Sequence, residues 1–115
     1  MRVLAALVSI LTIGACGNGQ YTHQPGGPFY IETFVDNYSI PYTPKNEISK
    51  AEAESRKVKG ASYCIAYFNH LGLVSSFEKR LGGKLFFHVQ YVYTDGRLAQ
   101  QRVVNSDGQE NVFTY

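Results

Sequence analysis

Two cysteines, three histidines and a pair of turn-placed aspartates are the groups in this 115-residue sequence with the chemistry to do more than pack. Cys64 sits in Ser62-Tyr63-Cys64-Ile65-Ala66-Tyr67-Phe68. A cysteine attacks as its thiolate, which needs a nearby base and an electropositive, accessible setting. An apolar run offers neither, and there a free cysteine packs as a small buried hydrophobe. The imidazoles of His70 and His88 could bind metal, but neither has a second Cys or a close His at ligand spacing, so neither a metal nor a cofactor is expected. Asp95 and Asp107 could work as paired carboxylates in acid–base chemistry. Each directly precedes a glycine between strand-forming runs, where local hydrogen bonding by Asp in a turn accounts for it. Ser75-Ser76 lacks the flanking glycines of a nucleophile elbow, and no glycine-rich phosphate loop with its lysine is present. The chain reads as a non-enzyme.

Cys16 has a different context. Arg2 puts a positive charge beside the amino terminus, residues 3–13 (VLAALVSILTI) are almost wholly apolar, and Gly14-Ala15 are small. A basic start, an apolar stretch of about 7–15 residues and small residues before a cut form the layout of a secretory signal. A spanning helix needs about 20 apolar residues, and Gly17-Asn18-Gly19-Gln20 ends this run well short of that. A signal peptide over residues 1–15 is therefore expected.

Ile13-Gly14-Ala15-Cys16 resembles a bacterial lipobox: an aliphatic residue, two small ones, then the cysteine. Gly14, at the second position of the motif, is less usual there than Ala or Ser. The resemblance implies lipidation of Cys16, cleavage before it, and a membrane as the first partner of the mature chain. More than one acyl chain, at about 0.8 kcal/mol per buried methylene, makes such an anchor firm. Residue 17 is Gly rather than the Asp that marks inner-membrane retention in Gram-negative lipoproteins. By that resemblance the address is the periplasmic face of the outer membrane, or the cell membrane in a Gram-positive source. Acylation of Cys16 also leaves Cys64 without a disulfide partner.

The elements that must carry these groups follow from composition and period. A length of 115 residues, 44% hydrophobic and 17% charged, allows one small globular domain. Nine Tyr and seven Phe favour strands and help a short chain fill a core. The formal charge is +2, and the densest basic stretch, Arg56-Lys57-Val58-Lys59, follows Glu52 and Glu54. It reads as a solvated helix end, so no nucleic-acid partner is expected.

Residues 16–28, the cysteine and then GNGQYTHQPGGP, read as lipid attachment and flexible tether, with His23 exposed and passive. The folded domain is expected over residues 29–115. Residues 29–35 (FYIETFV) suit a strand ended by Asp36-Asn37, and residues 38–44, with two prolines, suit an extended edge or loop. Ser49-Lys50-Ala51-Glu52 matches a capping box, so a helix is expected near residues 47–59, stopped by Gly60, with Ile48, Ala51, Ser55 and Val58 as its apolar stripe. Beyond it, Asn69-His70-Leu71-Gly72, Gly82-Gly83, Asp95-Gly96 and Ser106-Asp107-Gly108 punctuate strand-forming runs. Asp-Gly between such runs is a strong hairpin signal. In Lys84–Thr94, alternation puts Leu85, Phe87, Val89, Tyr91 and Tyr93 on one face and Phe86, His88, Gln90, Val92 and Thr94 on a wetter one.

The fold class expected is mainly β, or α+β: an antiparallel meander of about four to six strands, one face covered by the helix. A weak repeat shifts by roughly 24–25 residues, echoing Tyr67-Phe68, Gly72 and Gly83 in Tyr91-Val92-Tyr93, Gly96 and Gly108. Its second unit resembles the YD repeats of Rhs-type proteins and the MORN-variant repeats of small bacterial lipoproteins, over about half the chain. That resemblance implies β-hairpins used as scaffold or binding surface and carries no catalytic residue. Tyr91 and Tyr93, with Tyr63 and Tyr67 and with His88 nearby, could form a platform contacting a glycan or an envelope protein. The same tyrosines could instead be core. The function expected is a membrane-anchored, non-catalytic binding or structural module of the cell envelope. Its rivals are an immunity lipoprotein against a periplasm-acting toxin and a small envelope hydrolase, which would need a pocket joining His88 or His70 to a carboxylate or Cys64.

Overall fold

The computed structural model describes residues 21–35 and 41–115. The expected signal segment 1–15, Cys16, the tether as far as Gln20 and the Asp36-Asn37 stop lie outside the described residues. Among the described residues seven strands form one open sheet: β1 (Gly26–Val35), β2 (Thr43–Ile48), β3 (Ser62–Phe68), β4 (Val74–Leu81), β5 (Lys84–Thr94), β6 (Arg97–Asn105) and β7 (Glu110–Thr114). One helix, α1 (Lys50–Lys59), joins β2 to β3. The spatial order is β2-β1-β3-β4-β5-β6-β7, every neighbouring pair antiparallel.

From β3 onward this is the expected meander. The strand beyond the expected number is β2: Pro44 lacks an N–H and is confined to an edge, which is where β2 lies. Leaving that edge, the chain passes through α1 to reach β3 on the far side of β1.

Turn chemistry explains the register. Asp95 (φ 54°) and Gly96 (φ 78°) both adopt the left-handed conformation that a type I′ hairpin demands. The turns at Asn69 and Asn105 share one construction. Asn69 Oδ1 accepts from the N–H groups of Leu71 and Leu73, and Asn105 Oδ1 from those of Asp107 and Gln109, all at 2.9–3.0 Å. Asn69 N–H donates to Leu73 O, and Asn105 N–H to Gln109 O. These matched turns are 36 residues apart in sequence (105 − 69), a spacing different from the 24–25-residue echo.

Helix α1 is short and capped at both ends. Ser49 Oγ accepts from Glu52 N–H at 3.0 Å, and Gly60 closes the helix at φ 76°. Glu52 does not return the bond to Ser49; its carboxylate takes Arg56 Nε at 2.9 Å. The expected stripe is corrected, because Ala53 is the buried residue while Ala51 and Val58 are exposed. With so little apolar surface the helix covers the start of β3 rather than the sheet. Lys57 and Lys59 are solvated, as expected of a helix end.

The main core is covered by the chain's own first hairpin. β1 pairs with β3 only as far as Ile31, and residues 33–35 pair with β2 alone. Freed from β3, the hairpin turns across the sheet. Phe34 stacks on Phe77 of β4 with centroids 3.9 Å apart, and the Tyr42 N–H donates to Tyr91 Oη of β5 at 3.1 Å. Beneath lie Ile31, Cys64, Ala66, Phe77, Val89 and Tyr91, all at most 4% exposed. Each large side chain removed from water here contributes about 1.5–3 kcal/mol.

Candidate binding groove

Strands β5 and β6 position the groove, and the hairpin limits it. The apolar face of β5 continues through its cross-strand partners: Val89 pairs with Val103, Tyr91 with Gln101 and Phe87 with Asn105. Among the described residues, the hairpin's cover of this face ends in the ring of Tyr42. Past that ring, Tyr42, Phe86, Phe87, Val89 and Val103 wall a hollow of about 400 Å³. Gln101, Asn105 and Ser106 supply its polar atoms. Asn105 is committed to its turn, both through Oδ1 and through a bond from Nδ2 to Gln109. Gln101 is 7% exposed, and its amide has no hydrogen-bond partner among the described residues. A concave, mostly apolar hollow with a few oriented polar groups is the usual form of a ligand site. This one can hold a ring or short chain and offer it one amide.

The expected site residues fall in other places. Tyr91 is 4% exposed, with its oxygen held by the Tyr42 N–H, and Tyr93 Oη donates to Val74 O at 2.8 Å. Tyr91 is core and Tyr93 packs partly buried against it, and burial raises both phenols above their ordinary range. Tyr63 is buried on the opposite face and Tyr67 is exposed, so the four do not form a platform. His88 lies on the wetter face as expected, between Glu78 of β4 and Val104 of β6. Glu78 is already paired with Arg80, and His88 does not line the groove.

Cys64 is 1% exposed beside the Phe34 backbone, and desolvation pushes its thiol up to about 11, as expected of a structural cysteine. Asp95 and Asp107 occupy separate turns. No group of three metal-ligating side chains occurs among the described residues. A second hollow of about 500 Å³ beside the β5–β6 turn contains Asp95 and Arg97, with Asp95 held in the type I′ geometry.

His23 is corrected. It is tied to the sheet end rather than exposed and passive. Its ring stacks on Phe68 at 4.3 Å and meets Phe29 at 4.4 Å, Nε2 is 2.8 Å from Glu47, and its N–H donates to Gly72 O. The ring faces of Phe29 and Phe68 and a carboxylate on an edge strand make that docking favourable, and linear reading does not reveal them. The groove was equally hidden. Its walls come from β5 and β6, where alternation is visible, but its boundary is set by Tyr42, which arrives from a distant hairpin.

Among the described residues no helix is long and apolar enough to cross a membrane. No protein-family model, no curated protein and no solved structure matches this chain.

Proposed function

We propose that this chain is a lipid-anchored protein of the cell envelope whose folded part is a non-catalytic binding module. The groove between Tyr42 and β6 is its contact surface for an apolar ring, chain or side chain. The anchor rests on sequence: Arg2, the apolar run 3–13 and Ile13-Gly14-Ala15-Cys16 stand in the order that lipidation requires. The groove carries the binding reading, because among the described residues its walls are apolar, Gln101 is its one uncommitted amide, and Cys64, His70 and His88 are absent from its lining. Without a nucleophile, base or metal set there, recognition is the chemistry it supports.

Two measurements test the two halves separately. Cys16→Ala in the full chain should abolish palmitate incorporation and release the protein from membranes; unchanged fractionation refutes the anchor. For the groove, anilinonaphthalene sulfonate should bind the folded wild type with enhanced fluorescence, and Val103→Glu should weaken that binding at least tenfold while near-UV dichroism stays native. Equal binding by both proteins refutes the groove.

A further inference from the structure

The two edges of the sheet are built differently. Edge β2 is blunted: Pro44 has no N–H, Lys45 is charged and exposed, and Asn46 turns to φ 64°. Proline, lysine and local irregularity are the usual protections of an edge against pairing with another chain. Edge β7 has none of them. Its sequence is Glu110-Asn111-Val112-Phe113-Thr114, its register with β6 runs without a bulge, and all five residues are exposed.

The outward groups of β7 can be identified. Tyr115 N–H donates to Ala99 O, and Asn105 N–H donates to Gln109 O. In an antiparallel ladder, residues alternate between facing the partner strand and facing away. With Gln109 and Tyr115 turned toward β6, Asn111 and Phe113 are turned there too. Glu110, Val112 and Thr114 therefore present their N–H and C=O groups to solvent.

We propose that β7 is the docking strand for a second copy of this chain, paired antiparallel about a twofold axis through Val112. That register is self-complementary. Val112 exchanges both backbone bonds with Val112 of the other copy, and Glu110 exchanges both with Thr114, so every outward group is satisfied. No like charges meet: each Glu110 lies opposite a threonine and keeps its own Arg102 at 2.7 Å. The two Val112 side chains, each 46% exposed alone, cover one another on one face. On the other face each Phe113, 47% exposed, lies opposite Asn111 of the other copy. A strand of five residues is about 17 Å long, which makes this contact smaller than a standard interface of about 1,600 Å². The dimer is accordingly weak and concentration-dependent. It depends neither on lipidation nor on what fills the groove.

The full chain carrying Cys16→Ser has Cys64 buried, so a cysteine introduced on β7 is its one reactive thiol among the described residues. Under mild oxidation Val112→Cys should give a disulfide-linked homodimer. Glu110→Cys and Thr114→Cys should not, because each residue then lies opposite the other rather than opposite its own copy. In sedimentation, the protein without an added cysteine should shift from monomer toward dimer up to about 100 µM, the range of a weak contact. Val112→Pro and Val112→Lys should both stay monomeric. Proline there removes an N–H that β6 does not use, and lysine sets like charges opposite each other. A monomer at every concentration, equal cross-linking at all three positions, or capture of a different protein by Val112→Cys overturns the proposal.

Discussion

Removing one oxygen, in Tyr91→Phe, tests whether Tyr91 is a structural tie or a ligand contact. The phenol of Tyr91 is 4% exposed, and its oxygen accepts the Tyr42 N–H at 3.1 Å. The ring remains in the variant, so packing against Phe77, 6.4 Å away between centroids, is kept. What is lost is the acceptor for a half-buried backbone N–H. A net hydrogen bond is worth about 0.5–1.5 kcal/mol and an unsatisfied buried donor costs about 1–3 kcal/mol, so a loss of about 1.5 kcal/mol is expected. For a domain of this size that lowers Tm by roughly 6–12 °C. Thermal unfolding followed by far-UV dichroism measures it, with Tyr67→Phe as control, since Tyr67 is 43% exposed and should change stability by less than about 0.5 kcal/mol. Tyr42 is also a groove wall, so anilinonaphthalene sulfonate affinity should fall in Tyr91→Phe and not in the control. Equal stability of Tyr91→Phe and wild type would refute the tie between hairpin and sheet.

Three further outcomes follow from the same geometry. Folding raises the Cys64 thiol from its ordinary value of 9.0 to about 11, so the native state holds that proton more tightly; the stabilisation is full below pH 9 and is lost as pH rises through 11. About 1 kcal/mol of the loss between pH 9 and 10 in denaturant titrations should belong to Cys64, and Cys64→Ala should remove that share while leaving the part due to the raised phenols of Tyr91 and Tyr93. Phe34 and Phe77 stack at 3.9 Å across the hairpin–sheet contact, and a double-mutant cycle of Phe34→Ala and Phe77→Ala should return a coupling of about 0.5–1.5 kcal/mol; additive effects would place the hairpin elsewhere. Gly72 stands at φ 80°, where a Cβ would collide with the His23 carbonyl oxygen, so Gly72→Ala should lower stability by about 1–3 kcal/mol and expose the peptide near His23 to proteolysis.

The local chemistry was legible in the chain. Asp95-Gly96 announces its turn because only a residue tolerant of positive φ followed by glycine fits there. Ser49 and Gly60 bracket the helix because free backbone groups need an oxygen at one end and a left-handed residue at the other. The two faces of β5 follow from a period of two, which put Phe87, Val89 and Tyr91 inside and left His88 on the wetter side. Burial of Cys64 followed from its apolar neighbours.

Folding decided the rest. Whether an aromatic on an apolar face is core or contact depends on what crosses over it, and here a hairpin some 50 residues earlier in the chain brings Tyr42 onto Tyr91. The same hairpin supplies Tyr42 as one wall of the groove. His23 gained its stack from two phenylalanines that pairing of β1 with β3 brings together. The edge role of β7 is likewise a property of the sheet, since five residues do not say on which side they lack a neighbour. Periods, caps and turns act over a few bonds and are written in order along the chain. Coverage, edges and hollows arise between segments far apart in it, and only their packing creates them.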